Sequence, residues 1–177
     1  MNEIAVDKES VNPQAKGLHP AKGLLVVLAI AVAVVLFLLL TSSLGINEFW
    51  AGFLWLFFWA GIEHMRFDRL NQSVVGACVG LGAAMALKLF PQWLGVLGLV
   101  AALAIVVVLV YCQVMGWFSL LVNNATMLFL TVATIPHLQG HGDFGQIYTA
   151  LVLGVVFFGG LLWVGFRFAR LRADRKS

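Results

Sequence analysis

The chain has 177 residues, of which 62% are apolar and 11% charged, with a net charge of +3. A soluble domain is nearer half apolar and a quarter charged, so this composition excludes an ordinary water-soluble fold and an intrinsically disordered chain. It predicts one membrane domain with little chain left over for a soluble one.

Residues 1–20 read as a polar cytoplasmic tail in which Pro13 and Pro20 oppose a helix. From Gly23 to Leu40 there is no polar side chain, and that run roughly matches the ~30 Å hydrocarbon layer at ~1.5 Å per residue. It is longer than a secretory h-region, and Thr41-Ser42-Ser43 is no small-residue cleavage site, so an uncleaved first helix is expected. Further apolar stretches follow at 48–62, 73–89, 93–115, 117–136 and 147–166, giving an all-α, polytopic, six-span domain over 21–167 and a basic cytoplasmic tail over 168–177. In that topology ten of the eleven Lys and Arg residues fall on one side. Lys8, Lys16 and Lys22 precede the first span, Arg66 and Arg69 follow the second, and Arg167, Arg170, Arg172, Arg175 and Lys176 follow the sixth. Positive charge resists translocation, so both termini are expected in the cytoplasm, with Lys88 alone outside.

The second stretch carries seven aromatics between Phe49 and Trp59. Two readings stand side by side: a rigid constriction narrowed by Phe53 and Phe57, or bulk packing against glycine-rich neighbours. The third stretch is rich in small residues, with Gly76 and Gly80 four apart, and Pro91 is expected to break the chain before Trp93. Around Met115-Gly116-Trp117 a tight, uncharged turn is predicted. Cys78 and Cys112 lie inside predicted spans and read as packing residues.

The fifth stretch holds the strongest polar feature, Asn123-Asn124-Ala125-Thr126, followed by Thr131 and Thr134. Amides in hydrocarbon must find partners. Asn124 and Thr131 return to one helical stripe, so they could line a path for a neutral solute with Asn123 and Thr126 beside them. Equally, Gln113 could donate to Asn123 across the turn and merely tie helices together, or the pair could mark an interrupted helix.

A weak repeat runs through His64, Asp68, Gln72 and Gly80, and again through His137, Asp143, Gln146 and Gly154. Three spans per copy would give two inverted halves. His64 and His137 would then stand at opposite mouths, where they could gate passage with pH. The same opposition argues against a metal site built from His64, His137 and His141, and no haem ligand lies within a span. The chain carries no catalytic motif, so no catalytic residue, metal or other cofactor is expected, and no nucleic-acid motif accompanies the basic tail.

The segments Gln139-Gly140-His141-Gly142-Asp143-Phe144, Ala150 to Gly154 and Trp50-Ala51-Gly52-Phe53 resemble a family of small bacterial inner-membrane proteins, known as domain of unknown function 1097. That resemblance implies a compact multi-span protein, often guessed to be permease-like, and supplies no substrate or binding residues. The combined expectation is a homo-oligomeric channel or facilitator for a small neutral or weakly charged solute in the lipid bilayer. A non-transporting membrane subunit or assembly protein is the alternative, and a proton-coupled transporter the third.

Overall fold

The computed structural model describes residues 20–174 and contains only helices and turns among them. The elements are α1 (Pro20–Ser43), α2 (Trp50–Gly61), a 3-10 turn at Phe67–Arg69, α3 (Leu70–Met115), α4 (Asn124–Ala133), α5 (Pro136–His141) and α6 (Phe144–Asp174). Three helical stretches are long and apolar enough to cross a membrane: Gly23–Ser43, Phe67–Met115 and Phe144–Phe168. Residues 1–19 and 175–177, and with them most of the expected N-terminal tail, lie outside the described residues. Residues up to Val35 form one unit and the remainder a second. All that follows concerns the second, which begins at Leu36 and so includes the last turns of α1.

α3 is not straight. A straight helix would hold Gln72 and Gln113 about 60 Å apart. Instead Gln72 donates from Nε2 to the Ser119 carbonyl (2.7 Å), and Gln113 donates from Nε2 to Asn124 Oδ1 (3.0 Å), only five residues further on. The helix therefore folds back on itself, and its two arms, residues 70–94 and 96–115, are antiparallel. The break falls at Gly95 (φ 58°, ψ −134°), four residues after Pro91, where the sequence placed it. Proline holds φ near −65° and cannot make the reversal, whereas glycine can. Just past the turn, a Cβ on Gly98 would strike the Phe90 carbonyl. Gly95→Ala is accordingly expected to cost about 1–3 kcal/mol, measured by denaturant titration in detergent.

The other departures concern length. The expected fifth span, 117–136, yields a helix of only 10 residues, because 117–123 form successive turns. α2 has 12 residues. At ~15 Å and ~18 Å these two are too short for the hydrocarbon layer as helices alone. At the other end α6 continues as helix to Asp174, well into the expected tail.

Small residues decide how the short helices pack. α4 lies along the first arm of α3: Asn123 meets Gly76, and the Thr126 carbonyl sits where a Cβ on Gly80 would be. α2 lies along α6: Gly52 Cα is 2.5 Å from a Cβ built on Gly154, and the Ala150 carbonyl is 2.9 Å from one built on Gly52. Such approach is open only to residues without a larger side chain. Each short helix runs parallel to its long partner. Asn123 donates to the Gln72 carbonyl at the start of the first arm, and beyond the end of α4 Gln139 donates to the Ala84 carbonyl. Likewise the Asn47 N–H donates to Gln146 at the start of α6, and Phe53 packs on Phe158 further along.

The long partners are antiparallel to each other. Phe67, just before the first arm, stacks edge-on against Phe166 near the end of α6 (6.0 Å). At the opposite end Lys88 donates to the Gly142 carbonyl (2.9 Å), just ahead of α6. Large side chains fill the space the glycines leave: Trp55, Trp59, Phe58, Phe129, Leu81, Ile147 and Leu151 are all essentially buried.

Candidate functional site

The turns of 117–123 end where the first N–H groups of α4, which have no intrahelical partner, find a cap. Gly116 ends α3 in the left-handed region (φ 67°), and Asn123 then opens α4 as its N-cap. Asn123 Oδ1 accepts from the N–H groups of Ala125 (2.9 Å) and Thr126 (3.4 Å). Thr126 Oγ1 accepts from the Asn123 N–H (3.1 Å), which closes a capping box, and donates to the Leu121 carbonyl (2.8 Å). The remaining Asn123 protons go to the carbonyls of Gln72 (2.9 Å) and Ser119 (3.2 Å). Thr126 is fully buried. Both polar groups are thereby committed to the protein itself.

Asn124 behaves differently. It is exposed, and its one side-chain partner among the described residues is Gln113, which the sequence had offered to Asn123 instead. Thr131 is exposed two turns on and donates back to the Met127 carbonyl (2.8 Å), as Thr134 does to Thr131 (2.8 Å). The predicted Asn124–Thr131 stripe thus lies on the outer face of α4, opposite the side packed on the first arm. Asn123, Asn124 and Thr126 come together at the head of that helix.

The two aromatic positions lie elsewhere, on α2. Phe53 belongs to a cluster with Phe37 (5.1 Å), Phe49 (6.1 Å) and Phe158 (6.0 Å), and Phe57 is 68% exposed. His64 sits in the exposed loop after α2 with a left-handed backbone (φ 51°), beside Met65 (φ 57°). His137 is exposed on α5 and packs on His141 at 5.3 Å between ring centroids. Since that loop precedes the first arm and α5 is tied to Ala84 and Ala133 through Gln139, the two histidines flank opposite ends of that arm. Among the described residues no three His, Cys, Asp or Glu side chains converge on a metal position.

Several connecting residues carried no sequence signal as such. Gln139 bridges the first arm and the end of α4, Ser73 accepts from Trp55 Nε1 (3.2 Å), and Tyr148 donates to the Cys78 carbonyl (3.0 Å) between the two long helices. A polar residue on an apolar helix was the only hint, and it does not name a partner. Compared with protein-family models, curated proteins and solved structures, the chain matches none.

Proposed function

We propose that this chain is a six-segment integral protein of a bacterial plasma membrane, with both termini cytoplasmic and two inverted three-helix halves. In this reading it is a facilitator for a small neutral or weakly charged solute. One observation carries the proposal. Each half supplies a long helix, a short helix and a glycine-rich long helix, and the short helix of each half packs along the third helix of the other. Gln72 with Gly80, and Gln146 with Gly154, stand eight residues apart at equivalent places in the two pairings. Antiparallel long helices, each with a short helix packed in the same sense, are consistent with two inverted copies, and inverted repeats recur in membrane transport proteins.

The six segments are α1, α2, the two arms of α3, α4 with its flanking turns, and α6. The turns at 117–123 lengthen the α4 crossing, and the carbonyls of Phe118, Ser119 and Leu121 accept hydrogen bonds within the protein, as hydrocarbon favours. The solute-facing group in this reading is the Asn124–Thr131 stripe, where amide and hydroxyl groups stay accessible and no charge is present. Asn123 and Thr126 support that stripe from behind. Solute flux into proteoliposomes, followed by stopped-flow light scattering over urea, acetamide, formamide, glycerol and acetate, tests the proposal. Faster equilibration than in empty liposomes is expected for at least one of them. Asn124→Leu leaves the Asn123 cap intact and is expected to slow that flux severalfold; unchanged flux would remove the stripe from the pathway.

A second reading has its own support. Saturated hydrogen bonding at Asn123 and Thr126, together with the close aromatic filling around Trp55 and Phe129, is also what a non-transporting membrane subunit requires. Absence of flux for every solute, with correct folding, would favour it.

A further inference from the structure

Arg167 lies one residue short of the end of the apolar stretch Phe144–Phe168. Twenty-three residues of helix separate it from Phe144, about 35 Å, slightly more than the hydrocarbon thickness. A guanidinium at that height meets lipid phosphate rather than acyl chain. Among the described residues, the two arginines of the adjoining loop and 3-10 turn are electrically compensated. Arg66 forms a 2.7 Å ion pair with Asp68. Arg69 faces Glu63 at 3.8 Å. Among the described residues no carboxylate pairs with Arg167, which lies instead over the Trp163 ring at 5.4 Å.

The surface around Arg167 is shaped as well as charged. An open groove of about 600 Å³ runs on one side, lined by Met65, Phe67, Trp163, Phe166, Arg167 and Leu171. A second groove of about 230 Å³ lies on the other side, where Val164 and Phe168 replace the loop residues. Trp163, Arg167 and Leu171 belong to both, so this stripe, its members four positions apart, is the ridge that separates them. A cation on a ridge between two largely apolar troughs matches one molecule with an anionic head and two hydrocarbon tails.

We propose that this ridge binds one anionic diacyl phospholipid, its phosphate on the Arg167 guanidinium and an acyl chain along each groove. Arginine suits the task because its planar fork presents two parallel donors to phosphate oxygens. Trp163 and the flanking phenylalanines suit the first carbons of the chains at the aromatic level of the interface. The site does not depend on solute transport, only on α6 lying in the bilayer.

The test is quenching of tryptophan fluorescence by brominated lipid, with the full chain in phosphatidylcholine vesicles. A minor fraction of either brominated phosphatidylglycerol or brominated phosphatidylcholine is included, and Trp163→Phe defines the share of the signal that belongs to Trp163. Brominated phosphatidylglycerol is expected to quench Trp163 at about fivefold lower mole fraction than brominated phosphatidylcholine. Arg167→Gln should bring the two lipids to parity, whereas Arg66→Gln, which removes a charge already paired, should leave the preference standing. Excess inorganic phosphate should not displace the lipid, since it fills neither groove. Equal quenching by both lipids in the unaltered protein would overturn the proposal, as would a preference that survives Arg167→Gln or one abolished by Arg66→Gln. Displacement by inorganic phosphate would reassign the ridge to a free anion. A solute-flux failure leaves every one of these readouts intact, so the two proposals fail separately.

Discussion

Replacing Asn123 by alanine is expected to lower stability by about 2–4 kcal/mol, read as the midpoint of a denaturant titration in detergent. Two interactions are lost together. The cap on the Ala125 and Thr126 N–H groups is worth about 1 kcal/mol. The tie to the Gln72 carbonyl between α4 and the first arm adds ~0.6–2 kcal/mol. The upper end of the range comes from N–H groups left without a partner beside Gly76, where packing excludes water. Asn123→Ser should recover the capping part and not the interhelical tie, so it separates the two. Asn124→Ala removes one exposed bond to Gln113 and should cost no more than about 0.5 kcal/mol. If the two asparagines proved equally costly, the cap would not be what organises this end of the bundle.

The second large effect is expected at the glycines that seat the short helices. Gly154→Val should cost about 3 kcal/mol or more, because the new side chain meets the α2 backbone at Gly52 rather than a flexible side chain that can move aside. Gly80→Val should behave alike through the Thr126 carbonyl and the Leu130 N–H. Gly160 is the internal control: nothing lies within 4 Å of a Cβ placed there, and its site is helical. Gly160→Ala is therefore expected to be neutral or to stabilise by up to about 1 kcal/mol. A cost at Gly160 matching that at Gly154 would mean that helix propensity and not close approach sets the response.

Much of this was visible along the chain. The apolar runs announced α1, both arms of α3 and α6, since a side chain with no polar atom needs no tertiary partner to say where it belongs. Gly116 gave away the end of α3, because a left-handed terminus favours glycine. Other positions were misplaced or left open. Pro91 drew the predicted break between the third and fourth stretches, and the reversal falls four residues on, at Gly95, where the backbone needs glycine. The extent of α4 was overread for a related reason. Hydropathy is the same for turns and helix when the residues are Trp117, Phe118, Leu120, Leu121 and Val122.

The candidate site shows the same division more sharply. Asn123 and Asn124 are chemically identical and adjacent, yet one is a saturated cap and the other an exposed amide. Adjacent residues on a helix start point about 100° apart, and the sequence does not say which direction meets the first arm. By itself the sequence determined a helical chain with stretches long and apolar enough to cross a membrane, and with its charges near the ends of the predicted apolar stretches, because composition and spacing act locally. Which short helix packs on which long one was decided only by tertiary structure, through the distant glycines that let backbones meet. So were the partners of each amide, and the gathering of Met65, Phe67 and Arg167 around one groove, because each depends on residues far apart in the chain arriving at one place.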